Sequence, residues 1–146
     1  MQKSHLERSF PNLRDGGYVV TSATTPTYNC IAWAAGDDQQ WWQPPIDFGN
    51  FYWPPGAPTA YALSSFTQAF ALYGYEASDT DSFESGFEKV AIYVGSDGLP
   101  THMARQLESG VWTSKLGEWE DIEHGTLAAL EGEYYGTFAQ ILKRVR

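Results

Sequence analysis

The chain is short of cysteine, of positive charge and of long apolar runs, and each shortage removes a class of function. Cys30 is the only cysteine, so no internal disulfide can form and a reducing compartment is the expected setting. Nine Lys plus Arg stand against eighteen Asp plus Glu, a formal charge of −9. Such a surface repels phosphate backbones and anionic bilayers, so neither nucleic acid nor membrane is an expected partner. The basic residues gathered at the C-terminus, Lys143, Arg144 and Arg146, are accounted for by the dipole of a terminal helix. No run approaches the ~20 apolar residues that span a bilayer. The opening MQKSHLERSF lacks the apolar centre of a signal peptide, which makes the expected location cytoplasmic, with export by a signal-independent route still compatible. There is no P-loop, no GxGxxG after a strand and no GxSxG elbow, so no cofactor is expected. The one conceivable metal cluster, His124 with Glu120, Asp121 and Glu123, reads better as a solvated acidic face, and no metal is expected.

What is present suffices for one folded domain over residues 1–146, with 42% hydrophobic and 18% charged residues. Residues 1–16 are polar and read as a flexible or loosely ordered N-terminal segment. GYVVTS (17–22) has strand composition, and a short helix should follow through Cys30 to Gly36. Residues 37–58 hold five prolines and many rings, which predicts a long ordered loop. Thr59 to Tyr73 reads as a helix and 76–86 as a polar loop. FEKVAIYV (87–94), LPTHMARQL (99–107) and GVWTSKL (110–116) read as a three-stranded meander. From Thr126 onward, Phe138, Ile141 and Leu142 fit one face of a helix that Gly132 and Gly136 interrupt. The fold class expected from this order is α+β: a nucleophile-bearing helix packed on a small antiparallel sheet.

Cys30 has two readings. Lone cysteines often pack as small buried hydrophobes. Here Pro26 and Thr27 suit a helix start, which puts Cys30 in the first turn, where free N–H groups and the dipole favour a thiolate. A thiolate needs a base. His5 lies in the polar segment, His124 among carboxylates, and His102 on the expected central strand. A strand histidine is commonly structural, but a helix-start cysteine with a strand histidine far downstream is the layout of cysteine hydrolases.

YNCIAWA and VAIYVGSDGLPTHMARQ resemble the papain-like cysteine hydrolase superfamily, in particular its compact bacterial CHAP-type branch. The wider set YNCIAWA, THMARQL and WTSKLG, from about Tyr28 to Arg144, is also similar to an uncharacterised family of small bacterial proteins. The papain-like resemblance implies that Cys30 attacks an amide carbonyl, that His102 is its base, and that Tyr28 and Asn29 help to hold the oxyanion. It also implies a third polar residue orienting His102, and no such residue follows directly on the next strand. If Glu108-Ser109-Gly110 is the hairpin loop, His102 shares a face with Trp112, Ser114 and Leu116; if only Ser109-Gly110 turn, it shares a face with Lys115. Ser114 ranks first as the orienting group and His124 second, with Asp121 a further option.

The rings of 41–53, Trp41, Trp42, Phe48, Phe51, Tyr52 and Trp53, could form a substrate wall or merely order their own loop. Trp33, Trp41, Trp42, Trp53 and Trp112 are the candidate substrate contacts. The expected function is a cysteine hydrolase or transferase acting on the amide of a peptide, protein or peptidoglycan-type substrate, a peptidase, amidase or deamidase, and by analogy a bacterial effector or toxin. The alternative is a non-catalytic binding or immunity-type protein that uses the aromatic loop 41–53.

Overall fold

A computed structural model describes residues 2–44 and 51–146. Its centre is a seven-stranded antiparallel sheet: β1 (Tyr18–Val20), β2 (Glu76–Ser78), β3 (Phe87–Val94), β4 (Pro100–Gln106), β5 (Trp112–Lys115), β6 (Asp121–His124) and β7 (Thr137–Val145). The strand order is β1-β6-β5-β4-β3-β7-β2. Four short α-helices accompany it: α1 (Gln2–Ser9), α2 (Leu13–Gly16), α3 (Cys30–Ala34) and α4 (Leu63–Ala71), with a 3-10 turn at Leu127–Leu130. The molecule is therefore mainly β. The expected α+β, papain-like arrangement of a helix on a small sheet is overturned by this sheet, against which α3 contributes only five residues.

Two expectations fail for the same reason. The C-terminal region is strand, not helix: β7 pairs with β3 along its whole length and with β2 on its other side. Phe138, Ile141 and Leu142 satisfy helical spacing, but β3 is buried on both faces and needs a neighbour at each edge. Of the expected loose segment 1–16, the described residues 2–16 are ordered, because Leu6, Phe10 and Leu13 are fully buried against the sheet. Short strands also form at Glu76–Ser78, expected as part of a polar loop, and at Asp121–His124, expected as part of a solvated acidic face.

The meander over 87–116 forms as its alternation predicts. Its hairpin closes through Leu107 N–H to Val111 carbonyl at 2.8 Å, so the loop is Glu108-Ser109-Gly110 and Gln106 stands opposite Trp112. Gly110 sits at φ 94°, a left-handed conformation that suits glycine. Gly136 is required more strictly, since a Cβ there would overlap the Val94 carbonyl oxygen.

Pleating sends alternate β3 side chains into two cores. Ala91 and Tyr93 join α1, α2, the 3-10 turn and Tyr135 on one face. Val90 and Ile92 join α3, α4 and the aromatic loop on the other. Among the described residues no helix is long and apolar enough to cross a membrane.

Candidate functional site

The ladder between β4 and β5 runs only through Arg105 with Thr113 and Gln106 with Trp112. Beyond Arg105 the two strands part, and α3 packs against both. A cavity of about 660 Å³ opens beside this gap, with Cys30 and His102 both in its lining. Asn29 caps α3, its Oδ1 accepting from the Ala32 N–H at 3.2 Å and from the Trp42 N–H at 3.1 Å. Its Nδ2 donates to the Trp42 carbonyl at 2.7 Å. Tyr28 donates to Asp121 Oδ2 at 2.6 Å. The Tyr28 hydroxyl and one of the two Asn29 Nδ2 hydrogens are thereby committed to the fold; Asn29 lines the cavity and Tyr28 is not in its lining.

His102 is 1% exposed, stacked on the Tyr135 ring at 4.1 Å and 9° and flanked edge-on by Tyr93 at 5.2 Å. Its Nε2 lies 2.9 Å from Ser114 Oγ, which lies 2.8 Å from His124 Nε2, while His124 Nδ1 lies 2.9 Å from the Thr126 carbonyl. A carbonyl only accepts, so His124 carries its proton on Nδ1 and its Nε2 is an acceptor. Ser114 must donate to that acceptor and receive from His102 Nε2–H. The polarity of the chain thus leaves His102 Nδ1 as a bare lone pair, and this atom is buried without a hydrogen-bond partner. Burial holds both rings neutral: His102 is pushed well below the ordinary histidine value, and His124 falls to about 4.

The thiol differs from the expectation of an activated thiolate. Cys30 is partly exposed, yet burial of its sulfur raises its pKa to about 11. The backbone amides of Met103, Ile31 and Cys30 and the Lys115 charge pull the other way and do not prevail. A five-residue helix has too small a dipole to offset desolvation.

Lys115 is fully buried behind the cavity wall, donating to the carbonyls of Thr25, Gly117 and Trp119. Burial lowers its pKa, and it lies on the Tyr28 ring rather than beside His102. Asp121 also faces away from His102, and burial raises its carboxyl. Among the described residues no group of three or more His, Cys, Asp or Glu side chains converges as a metal site, and Asp121 and Glu123 share the face of β6 opposite His124. His5, expected in solvent, lies half-buried with Nε2 3.3 Å from Glu120 Oε1 and its ring edge-on to Trp119.

Of the rings assigned to substrate, Trp41 lines the cavity. Trp42 is 4% exposed and bonds Asp37 through its indole N–H, and Trp53 packs on Phe66 and donates to the Pro58 carbonyl. Trp33 donates to Thr113 Oγ1 beneath the Arg105 guanidinium, and Trp112 lies in the opposite core. Tyr52 packs on Trp42, Phe51 on Trp41, and Phe48 falls outside the described residues. Sequence reasoning missed Tyr61, Trp119, Tyr134 and Tyr135 as lining residues. The YYG at 134–136 hinted at Tyr135, since a glycine that lets strands approach closely also fixes the tyrosine before it, and nothing local marked Tyr61 or Trp119.

The signature of a family described as a domain of unknown function (DUF7689) matches residues 19–143. No curated protein and no solved structure matches the chain.

Proposed function

The chain belongs to the DUF7689 family, and from the geometry of its cavity we propose that it is a cysteine-dependent acyl-transfer enzyme that cleaves amide bonds. The observation that carries this reading is the bare, buried Nδ1 of His102, oriented by Ser114 and His124 and sharing a cavity with the only thiol. A buried acceptor without a partner costs about 1–3 kcal/mol, so its retention needs a purpose.

With the thiol pKa raised and the imidazole pKa lowered, the resting pair is neutral thiol and neutral imidazole. The chemistry is therefore general-base catalysis. As Cys30 Sγ attacks the carbonyl carbon, its proton passes to His102 Nδ1; the S–C bond forms and the carbonyl π pair moves to oxygen. When the tetrahedral adduct collapses, the C–N bond breaks and Nδ1–H protonates the leaving amine. Water activated by the same nitrogen then cleaves the thioester and restores the thiol. In the unliganded protein Nδ1 has no partner, so thiol and imidazole close up when an acyl group fills the cavity.

p-Nitrophenyl acetate tests this. Wild-type protein should be acetylated on Cys30, seen by mass spectrometry, and should turn over. His102→Gln should slow acylation by about 10²–10³-fold. Equal acylation rates in the two proteins would sink the proposal. One observation favours a second reading, a non-catalytic binding pocket: the thiol is held protonated and unbonded to its base. That reading expects Cys30→Ala to keep full ligand affinity and the wild type to show no turnover.

A further inference from the structure

Resting on the amide-cleaving reading, we infer that the cavity selects amides bearing an organic cation, an ammonium or guanidinium group. Its lining includes four rings with no structural cation of their own: Trp41, Tyr61, Trp119 and Tyr134. Elsewhere the protein places its own cations on aromatic faces, Arg105 on Trp33, Lys115 on Tyr28, Lys143 on Phe87 and Arg144 on Tyr75, each within 5.2 Å. Among the described residues none of the four cavity rings carries such a partner, and no Lys or Arg lines the cavity.

Trp119 and Tyr134 meet at 5.8 Å and 46°; both pack on Phe10, His5 lies edge-on to Trp119, and both rings still contribute to the cavity lining. Glu118, next to Trp119 in the same wall, is exposed, and among the described residues its carboxylate enters no ion pair. Rings with an adjacent carboxylate are the arrangement that binds a partly desolvated cation. Lys115, behind this wall, does not reverse the sign. It donates to three carbonyls, and Asp121 first, then Glu118 and Glu120, act electrostatically on its single charge, so Glu118 is shared between Lys115 and the cavity. An anionic ligand would meet Glu118 and a chain of charge −9 with no counter-charge in the lining. The cavity volume suits a ligand of dipeptide size.

The test measures binding of small amides to full-length Cys30→Ser protein, in which no thioester can form, by calorimetry or tryptophan fluorescence. The probes are the Nα-acetyl methylamides of lysine, arginine and norleucine, the last being a neutral chain of matching shape. Both cationic amides should bind about tenfold or more tightly than the norleucine amide. Glu118→Gln and Trp119→Leu should each bring the ratio of cationic to norleucine affinity close to one, whatever they do to the norleucine affinity itself. Equal affinity for all three, tighter binding of the neutral probe, or no binding by either cation at millimolar concentration would overturn the inference. Those results would leave the thiol–imidazole reading standing, because that reading is decided by acylation of the wild type and His102→Gln.

Discussion

The two faces of the sheet are organised on opposite principles. On one face, His102, Ser114 and His124 form a single hydrogen-bonded line among Tyr93, Tyr135 and Trp112, and every ring is held by packing. On the other, Cys30 stands at the end of a five-residue helix pinned by one asparagine to an aromatic loop. The proposed base is rigid and its tautomer is set; the proposed nucleophile is protonated and not yet engaged. Preorganisation has gone into the proton acceptor, which leaves the approach of the sulfur to be completed by a ligand.

The sharpest challenge to this contrast is the thiol's titration. With a pKa of about 11, iodoacetamide alkylation of Cys30 should rise about a thousandfold between pH 7 and pH 10, tenfold per unit. An ordinary exposed thiol would level off after roughly thirtyfold. Fast alkylation below pH 7 would make the two faces alike, both preorganised.

Acid should strike the histidine face. His124 is lowered from 6.5 to about 4, so the unfolded chain binds its proton more tightly than the folded one. Stability is then complete above 6.5 and is lost as pH falls toward 4, by about 3 kcal/mol from this group, and His102 adds in the same direction. Asp121, with a raised carboxyl, works the other way on the cysteine face. Urea midpoints at pH 7 and pH 4 should differ accordingly; His124→Asn should flatten the difference, and an unchanged slope in that variant breaks the argument.

Ser114→Ala removes the shared hydroxyl and orphans a buried donor and a buried acceptor, so a loss of about 2 kcal/mol in chemical denaturation is expected. A loss below about 0.5 kcal/mol would mean that water replaces the hydroxyl and the line is not closed. The smallest effect belongs to the cysteine face. Asn29→Ala loses a helix cap and the tie to Trp42, worth about 1 kcal/mol, and should raise Cys30 mobility in hydrogen exchange before it lowers global stability.

Legibility in the sequence divides along similar lines. Strands β3 to β5 could be read because alternation, two glycine turns and β-branched residues agree over 87–116. Strands β6 and β7 could not. DIEH is dominated by charge, and the contacts of Asp121 with Tyr28 and of His124 with Ser114 and the Thr126 carbonyl make its burial tolerable. TFAQILKRV fits a helix until its place beside β3 is known. Cys30 and His102 stood out by residue type and position, and Ser114 by hairpin register. The thiol's protonation was misjudged because desolvation depends on distant packing that no local motif reports. Tyr135 reaches His102 through contacts made by sequence-remote strands, and nothing nearby in the chain announces them.

The position of β7 bears on how the protein is made. It lies between β3 and β2, both of which leave the ribosome well before it. Until β7 emerges, β2 has no ladder to join and one edge of β3 stays open, so the nascent chain must wait, shielded or at risk of pairing with another copy, for that nine-residue strand.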